Sequence, residues 1–259
     1  MKNIVVVKCG GSTIDTLSDD FFRSVKKLRD SGYAPVIVHG GGPAIKRMLA
    51  LLNVESEFVD GLRKTDEQVM EVVEMVLCGS VNNTLVRKLG VTGLSAVGLS
   101  GCDSRLLEAV PRDKEKLGFV GEVAGVNTAL ISDLLEKDIV PVIAPVGISE
   151  SAQAYNINAD TAAGAIASAL KADKLLFVTD VPGIMRNGEL IRKTTEVEIR
   201  QLIGSGIIFG GMIPKVEAAL KSLQGNLREV IITAAHSETV SKGQIIGTTI
   251  HKEEKVTAE

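Results

Sequence analysis

Short apolar runs alternate with amphipathic stretches along most of the chain, and this alternation constrains the fold more than any other feature. The runs have the length of strands and are apolar at consecutive positions, as in a parallel sheet that is buried on both faces. Such alternation is typical of βαβ units and predicts an α/β protein. The predicted strands are residues 4–7, 36–38, 96–99, 140–144, 175–179 and 230–233.

The amphipathic stretches predict the helices that cover this sheet. The stretch at 66–77 has the best-defined start, because Thr65 and Gln68 have the spacing of a capping box. Two inserted hairpins are predicted at 58–63 and at 106–110 with 119–126, the second with an exposed charged turn. The predicted helices are residues 19–30, 43–52, 66–77, 127–136, 161–170, 196–203 and 215–223.

Composition restricts the class of protein. The 259 residues carry 29 Lys and Arg against 32 Asp and Glu, and this net charge of −3 argues against a nucleic-acid binder. Three cysteines without metal or disulfide spacing suit a reducing compartment. The first residues leave no room for a secretory signal, and no uncharged run reaches the roughly 20 residues of a membrane span, so we expect a cytoplasmic protein.

The first predicted strand runs into Lys8-Cys9-Gly10-Gly11. This run places a cation and two glycines at the carboxyl end of a strand, where open α/β sheets bind ligands. Glycine amides can approach an anion closely, and a lysine can follow the charge of a phosphoryl group. A tight turn beside a solvated lysine is the alternative interpretation.

The second predicted strand ends in a His-Gly-Gly-Gly-Pro run at 39–43, whose unobstructed amides predict a second anion site. A run of this kind also occurs in the oxyanion loop of lipases and esterases. A hydrolase of that class needs a G-x-S-x-G elbow, and no serine of the chain has glycines at both positions, so a hydrolase is disfavoured.

A third polar run, at 156–160, precedes a helix of small residues. In an extended segment Asn156, Asn158 and Asp160 point to one side and form a polar strip near a helix N-terminus. The alternative is that Asp160 is the N-cap of that helix, and the two roles are compatible.

Two more glycine-containing runs lie in the last third of the chain. The run at 210–215 puts Lys215 in the first turn of a helix, where its charge opposes the helix dipole. An anionic partner or an exposed lysine in a flexible loop would explain it. The run at 179–184 is either the edge of a nucleotide site or a Pro-Gly turn.

Several common motifs are missing from the sequence. A P-loop is excluded because no Gly-Lys dipeptide occurs, and a Rossmann dehydrogenase is disfavoured because there is no G-x-G-x-x-G. The protein kinase motifs are also missing, and the three histidines lack metal-ligand spacing, so we expect no metal site built from protein ligands.

The sequence resembles the amino acid kinase family in six motifs. These are the runs at 8–11, 39–43, 156–160, 179–184 and 210–215, and Gly61-Leu62-Arg63. The specificity of this resemblance comes from six motifs in one order. It implies an open three-layer αβα sandwich with a mainly parallel central sheet. Residues 1–172 would bind an acyl amino acid and form a dimer, and residues 173–259 would bind ATP.

The resemblance implies phosphorylation of the side-chain carboxylate of N-acetyl-L-glutamate by ATP, giving an acyl phosphate and ADP in arginine biosynthesis, with Mg²⁺ carried by the nucleotide. A carboxylate is already ionised at neutral pH, so the reaction needs alignment and charge shielding rather than a general base. The motif matches make Lys8 and Lys215 the catalytic lysines, both oriented by Asp160. They assign Gly41, Gly42, Arg63 and Asn156 to the acyl amino acid, and Gly10, Gly11, Asp180 and Gly211 to the nucleotide.

Two alternatives remain within this resemblance. Relatives that phosphorylate an acylated or carrier-linked aminoadipate share most of the motifs, and a non-catalytic amino-acid or nucleotide sensor could retain the fold. Feedback-inhibited family members carry an additional amino-terminal helix, whereas this chain starts almost directly on its first strand. The resemblance therefore implies a homodimer that arginine does not inhibit.

Overall fold

The computed structural model describes residues 3–10, 14, 17–223, 227–235, 240–241 and 244–252. The strands are β1 (Asn3–Cys9), β2 (Tyr33–His39), β3 (Phe58–Val59), β4 (Leu62–Arg63), β5 (Ala96–Ser100), β6 (Leu107–Pro111), β7 (Val120–Val126), β8 (Val140–Ala144), β9 (Val146–Ile148), β10 (Ala154–Ile157), β11 (Lys174–Thr179), β12 (Met185–Arg186), β13 (Glu189–Leu190), β14 (Lys193–Thr195), β15 (Glu229–Ala234), β16 (Val240–Ser241), β17 (Gln244–Ile245) and β18 (Thr248–His251). The helices are α1 (Asp19–Asp30), α2 (Gly42–Leu51), α3 (Glu67–Glu74), α4 (Asn82–Val91), α5 (Lys114–Leu117), α6 (Ala129–Glu136), α7 (Ala159–Ala169), α8 (Glu196–Gly204) and α9 (Met212–Leu223).

A central eight-stranded sheet organises the fold, with the strand order β14-β18-β15-β11-β1-β2-β8-β5. Each neighbouring pair is parallel except β15 and β18, which are antiparallel. The six strands predicted from apolar runs are all in this sheet, so those predictions and the α/β class are confirmed.

Both faces of the sheet are buried, and this gives the sandwich its three layers. Val5 and Val7 of β1 pack into one hydrophobic cluster with helices α1 to α4, and Val6 packs into the other with helices α6 to α9. Successive side chains of a strand point to opposite faces, so a strand must be apolar at every position to serve both layers. The expected αβα sandwich is therefore confirmed.

The predicted helix at 66–77 continues much further than expected. Helix α3 passes through a π-helical segment, Met75–Val81, into α4, giving one rod over Glu67–Val91. By length and composition this rod could cross a membrane, but half of its most apolar window is buried against the rest of the protein. It is therefore a core helix of the sandwich.

The start of this rod corrects the predicted capping box. The N-cap is Asp66, whose Oδ1 accepts from the Val69 N–H at 2.9 Å. Thr65 instead turns its hydroxyl to the Arg63 carbonyl, at 2.7 Å. The residue one position later can cap the helix equally well, and this leaves Thr65 available for a tertiary contact.

Both predicted hairpins are present. Strands β3 and β4 pair antiparallel, and so do β6 and β7. The second hairpin closes with β9 and β10 into a small barrel, which the sequence analysis did not predict. Its charged turn contains the short helix α5.

All three cysteines are free thiols. Cys9 is fully buried in the hydrophobic core, and burial raises the pKa of its thiol to about 12. Burial likewise raises the pKa of Cys78 to about 12. Thiols with such pKa values carry little thiolate at neutral pH and are poor nucleophiles, as expected for structural cysteines.

Candidate active site

A cavity of about 270 Å³ lies at the carboxyl ends of β1 and β2. This is the edge of an open α/β sheet where ligands bind. Six of the predicted site residues line it together, although they come from four separate segments of the chain. These residues are Lys8, Gly41, Gly42, Arg63, Asn156 and Asp160.

Lys8 and Asp160 form an ion pair at this cavity. Lys8 projects from β1 and its Nζ lies 2.6 Å from Asp160 Oδ1. The lysine side chain is 13% exposed and the aspartate 34%, so water screens the pair only in part. Lys8 Nζ also lies 5.9 Å from the ring centroid of Phe177, within the range of a cation–π contact.

Asp160 is available for this pair because another residue caps its helix. The N-cap of α7 is Asn158, whose Oδ1 accepts from the N–H groups of Asp160 and Thr161 at 2.9 and 3.2 Å. The alternative that Asp160 is itself the N-cap is therefore wrong. Its carboxylate lies in the first turn of α7, where the helix dipole also stabilises a negative charge.

Arg63 is buried at the cavity wall, with 7% of its surface exposed. Its guanidinium donates to the Ser56 hydroxyl and to the Gly42 carbonyl, the latter at 3.2 Å. The Phe58 ring covers it, with its centroid 4.6 Å from Arg63 Cζ. Burial lowers the pKa of the guanidinium from its usual value, but arginine remains charged at physiological pH. The site thus holds a desolvated, oriented cation.

The glycine run forms the floor of the cavity and the start of α2. Gly41 is the N-cap of α2, and its carbonyl accepts from the Ile45 N–H at 2.9 Å. In the described part of the chain the Gly41 N–H donates no hydrogen bond. Unpaired amides at a helix N-terminus favour an anion. A side chain at 41 would meet the end of the Leu77 side chain, which would have to shift.

His39 lies directly beneath this floor and is fully buried. Its Nδ1 donates to the Gly40 carbonyl at 2.8 Å, because a carbonyl can only accept, and its Nε2 accepts from Asn82 Nδ2 at 3.1 Å. Desolvation lowers the pKa of His39 to about 4. A trans peptide directs its C=O and N–H to opposite sides, so this contact turns the Gly41 N–H away from the ring.

Asn156 also lines the cavity, and its partner is a residue to which the sequence analysis gave no site role. Its Nδ2 donates to Thr65 Oγ1 at 3.1 Å. Thr65 was noticed only as a helix cap, and the sequence contains no local signal for a contact with a residue 91 positions away.

The remaining predicted site residues do not line this cavity. Lys215, in the first turn of α9, is ion-paired with Asp180, which follows β11. Gly211 immediately precedes α9, and the Gly10 N–H donates to the Val178 carbonyl at 3.3 Å. Gly11 lies outside the described residues.

The expectation that Asp160 orients both lysines thus holds for Lys8, and for Lys215 it remains a prediction. A wider cleft of about 780 Å³ runs past Asp160 and along helix α9. Asp160 lines this cleft, together with Pro214 and Glu217, which flank Lys215. The cleft therefore leads from the ion pair toward the first turn of α9.

Within the described residues, no group of three or more His, Cys, Asp or Glu side chains could hold a metal ion. The site instead offers the buried Arg63 guanidinium, the partly buried Lys8 ammonium and unpaired glycine amides. These are groups that bind carboxylates and phosphates.

Comparison with known proteins shows relatives that match nearly the whole chain. Acetylglutamate kinase of Geobacillus thermodenitrificans is 54% identical over 253 residues, which are 98% of each chain. The enzyme of the same name from Halalkalibacterium halodurans is 51% identical over 254 residues, again 98% of each chain. The crystal structure of smu.665 from Streptococcus mutans superposes with a TM-score of 0.83 at 35% identity and covers 97% of this chain and 99% of that one.

The profile of the amino acid kinase family matches residues 3–234. This match spans the central sheet from β1 to β15 and includes both groups of predicted site residues. The chain therefore belongs to the amino acid kinase family.

Proposed function

We propose that the protein transfers the γ-phosphoryl group of ATP to the side-chain carboxylate of N-acetyl-L-glutamate, in arginine biosynthesis. The observation that carries this proposal is the cavity in which Lys8, Arg63 and the unpaired Gly41 amide converge. The substrate has two carboxylates, and the cavity is lined by two cations from separate strands, Lys8 of β1 and Arg63 of β4. The relatives named acetylglutamate kinase, identical at more than half of the aligned positions, support the same activity.

Arg63 would bind the carboxylate that does not react. Its planar fork suits bidentate binding of a carboxylate, and the contacts with Ser56, Gly42 and Phe58 hold the fork in place. An arginine held in this way loses little side-chain entropy when the substrate binds. This contact would therefore mainly determine affinity for the acyl amino acid.

In the reaction, an oxygen of the side-chain carboxylate attacks the γ-phosphorus. The bond from that phosphorus to the β,γ-bridging oxygen breaks, and ADP leaves with the electron pair. No proton is transferred, so the buried neutral His39 is not needed as a base. Lys8 would shield the negative charge between the two reactants, and Asp160 would hold the Lys8 ammonium in place.

The nucleotide would occupy the second group of residues. Lys215 would exchange its contact with Asp180 for the phosphates, and closure of the cleft would bring it toward Asp160. Gly10, Gly11 and Gly211 would offer amides to the phosphates, and Asp180 would lie near the nucleotide. Mg²⁺ bound to the phosphates would neutralise part of their charge.

We also propose that the two lobes divide near residue 172, between α7 and β11. Ala172 is buried, and the Asp173 N–H donates to the Ile4 carbonyl at 2.9 Å. This contact joins the lobes at the centre of the shared sheet.

A cytoplasmic homodimer completes the proposal. Leu51 ends α2, and Met75 begins the π-helical segment that packs against α2. Both apolar side chains are exposed and would be covered in a dimer.

The proposed function is tested by trapping the acyl phosphate as a hydroxamate. The protein is incubated with ATP, Mg²⁺, hydroxylamine and one of four acceptors, namely N-acetyl-L-glutamate, glutamate, aspartate and N-acetylaminoadipate. We expect hydroxamate to form fastest with N-acetyl-L-glutamate. A faster reaction with N-acetylaminoadipate would assign that compound as the substrate instead. An active acetylglutamate kinase serves as the positive control, and if it forms hydroxamate while this protein forms none with any acceptor, the protein is a sensor.

A further inference from the structure

Thr65 connects two walls of the cavity without lining it. Its side chain is completely buried between β4 and β10. The hydroxyl donates to the Arg63 carbonyl at 2.7 Å and accepts from Asn156 Nδ2 at 3.1 Å. One hydroxyl therefore contacts both Arg63, on one side, and Asn156, on the other.

The backbone of Thr65 is held as firmly as its side chain. Its N–H donates to the Leu117 carbonyl at 3.0 Å, and its carbonyl accepts from the Phe119 N–H at 2.7 Å. The Phe119 carbonyl then accepts from the Asn156 N–H at 2.9 Å. At Gly118, where φ is +66°, a side chain would collide with the Thr65 carbonyl. These contacts leave the Thr65 hydroxyl little freedom to change partners.

The directions of the hydrogen bonds follow from the groups involved. The Arg63 carbonyl can only accept, so the single proton of the Thr65 hydroxyl is used there. The lone pairs of the hydroxyl are then left to accept, and Asn156 must present its NH₂ to Thr65. The Asn156 amide is thereby fixed in one of its two orientations, with its Oδ1 as the group left to accept from a ligand.

We propose that Thr65 is a positioning residue that fixes the polarity of the Asn156 amide and keeps it in register with Arg63. This inference rests on the proposed function. An Oδ1 held as an acceptor favours ligands that place an N–H beside a carboxylate, as an acylated amino acid does. In a ligand with an ester oxygen at the same position, a lone pair of that oxygen would face a lone pair of Asn156 Oδ1, and the two would repel each other. Thr65 thus contributes to selection between amide and ester analogues without touching either.

The test compares N-acetyl-L-glutamate with its ester analogue, O-acetyl-2-hydroxyglutarate, in the full-length protein. Thr65→Val keeps the shape of the side chain but removes the hydroxyl, so the Asn156 amide can turn. We expect KM for N-acetyl-L-glutamate to rise about 10-fold, the equivalent of one or two lost hydrogen bonds, with KM for ATP nearly unchanged. The amide-to-ester ratio of kcat/KM should fall by a similar factor. Thr65→Ser should restore both values.

Controls separate positioning from general stability. Thr92→Val removes a hydroxyl that donates to the Leu89 carbonyl at 2.7 Å, away from the cavity, and should change neither KM nor the ratio. In an Asn156→Ala background, Thr65→Val should have little further effect, because the residue through which it acts is gone. If Thr65→Val does not fold, Thr65→Ala and Thr65→Ser provide the same comparison.

An active wild-type protein whose Thr65→Val variant keeps the wild-type amide-to-ester ratio would overturn this proposal alone. Equal increases in KM for both substrates would also overturn it, since they would indicate a structural role. Lack of wild-type activity toward every acceptor would instead contradict the proposed function.

Discussion

Lys8 Nζ lies 2.6 Å from Asp160 Oδ1, although the two residues are separated by most of the amino-terminal part of the chain. The pair joins the end of β1 to the first turn of α7. Asn158 caps α7, so the carboxylate of Asp160 is left to position a cation. The arrangement supports a role for Asp160 in aiming Lys8 rather than in binding substrate.

Replacing Asp160 with asparagine should therefore lower kcat far more than it raises KM. Loss of one preorganised charge contact in such sites typically lowers the rate by about 100-fold, and we expect a decrease of that order. Lys8→Ala should have at least as large an effect, because it removes the ammonium group that we propose shields the reacting oxygens. The double variant should be no slower than Lys8→Ala, since Asp160 acts through Lys8. Steady-state kinetics of the three variants would measure this, and additive losses would contradict it.

Lys215 and Asp180 give a second prediction. Lys215→Ala should lower kcat by about 100-fold, as expected for a cation that stabilises a transferring phosphoryl group. Asp180→Asn frees Lys215 from its ion pair and should mainly change KM for ATP. Lys221, which lines the wider cleft from the same helix, is a suitable control, and Lys221→Ala should leave kcat unchanged. A larger loss of kcat for Lys221→Ala than for Lys215→Ala would contradict the role assigned to Lys215.

Arg63→Lys tests the fork of the guanidinium. Lysine keeps the charge but cannot contact Ser56, the Gly42 carbonyl and a substrate carboxylate at the same time. We expect KM for the acyl amino acid to rise at least about 10-fold, the equivalent of 1.4 kcal/mol, with a smaller change in kcat. Isothermal titration with N-acetyl-L-glutamate gives the affinity directly. If Arg63→Lys binds N-acetyl-L-glutamate as tightly as the wild type does, Arg63 does not bind the substrate carboxylate.

Gly41→Ala tests the packing of the cavity floor. The φ angle of Gly41 is 174°, an extended conformation that any residue adopts, so the backbone itself is not strained. The new methyl group would collide with the end of the Leu77 side chain, which belongs to the π-helical segment. We expect weaker substrate binding, and Leu77→Ala should partly restore it by making room. Gly79→Ala, on the same segment with open space around it, should leave affinity unchanged.

His39 predicts how stability depends on pH. Desolvation lowers its pKa from 6.5 to about 4, so the folded state binds this proton less readily than the unfolded chain does. The contribution of neutral His39 to the free energy of unfolding is complete above pH 6.5. It is lost as the pH falls from 6.5 to about 4, and the total loss is on the order of 3 kcal/mol. Urea unfolding at pH 7 and pH 4.5 would measure it.

The comparison needs two variants. His39→Gln removes the titrating group and should flatten the change in unfolding free energy between these pH values. His251→Gln, at a partly exposed residue of β18, should retain the wild-type dependence. If His39→Gln loses stability with falling pH as steeply as the wild type, another group is responsible.

The central sheet could be predicted from the sequence because its inner strands are apolar at every position. The edge strand β14 (Lys193–Thr195) and β18 (Thr248–His251) were not predicted, since each is short and rich in polar residues. The helix prediction stopped at residue 77, because Gly79 and Ser80 have low helix propensity, and packing of the rod against the sheet overrides that preference.

The cavity residues could be named from the glycine-rich motifs, but their supports could not. Thr65 contacts Asn156 and Asn82 contacts His39, across 91 and 43 positions of the chain, and nothing in the local sequence marks these contacts. Capping chemistry was predicted one residue off at Thr65 and two residues off at Asp160, because several neighbouring side chains can cap a helix and only tertiary contacts decide which one does.

The position of β18 has a consequence for how the chain is made. This strand inserts between β14 and β15, which both precede it in the sequence. On the ribosome, β14 has no partner in the sheet until residues 248–251 have emerged, and the outer edge of β15 stays open until then. The nascent carboxy-terminal half should therefore be the most exposed to aggregation and to chaperones, and its folding should wait until residues 248–251 are free to pair.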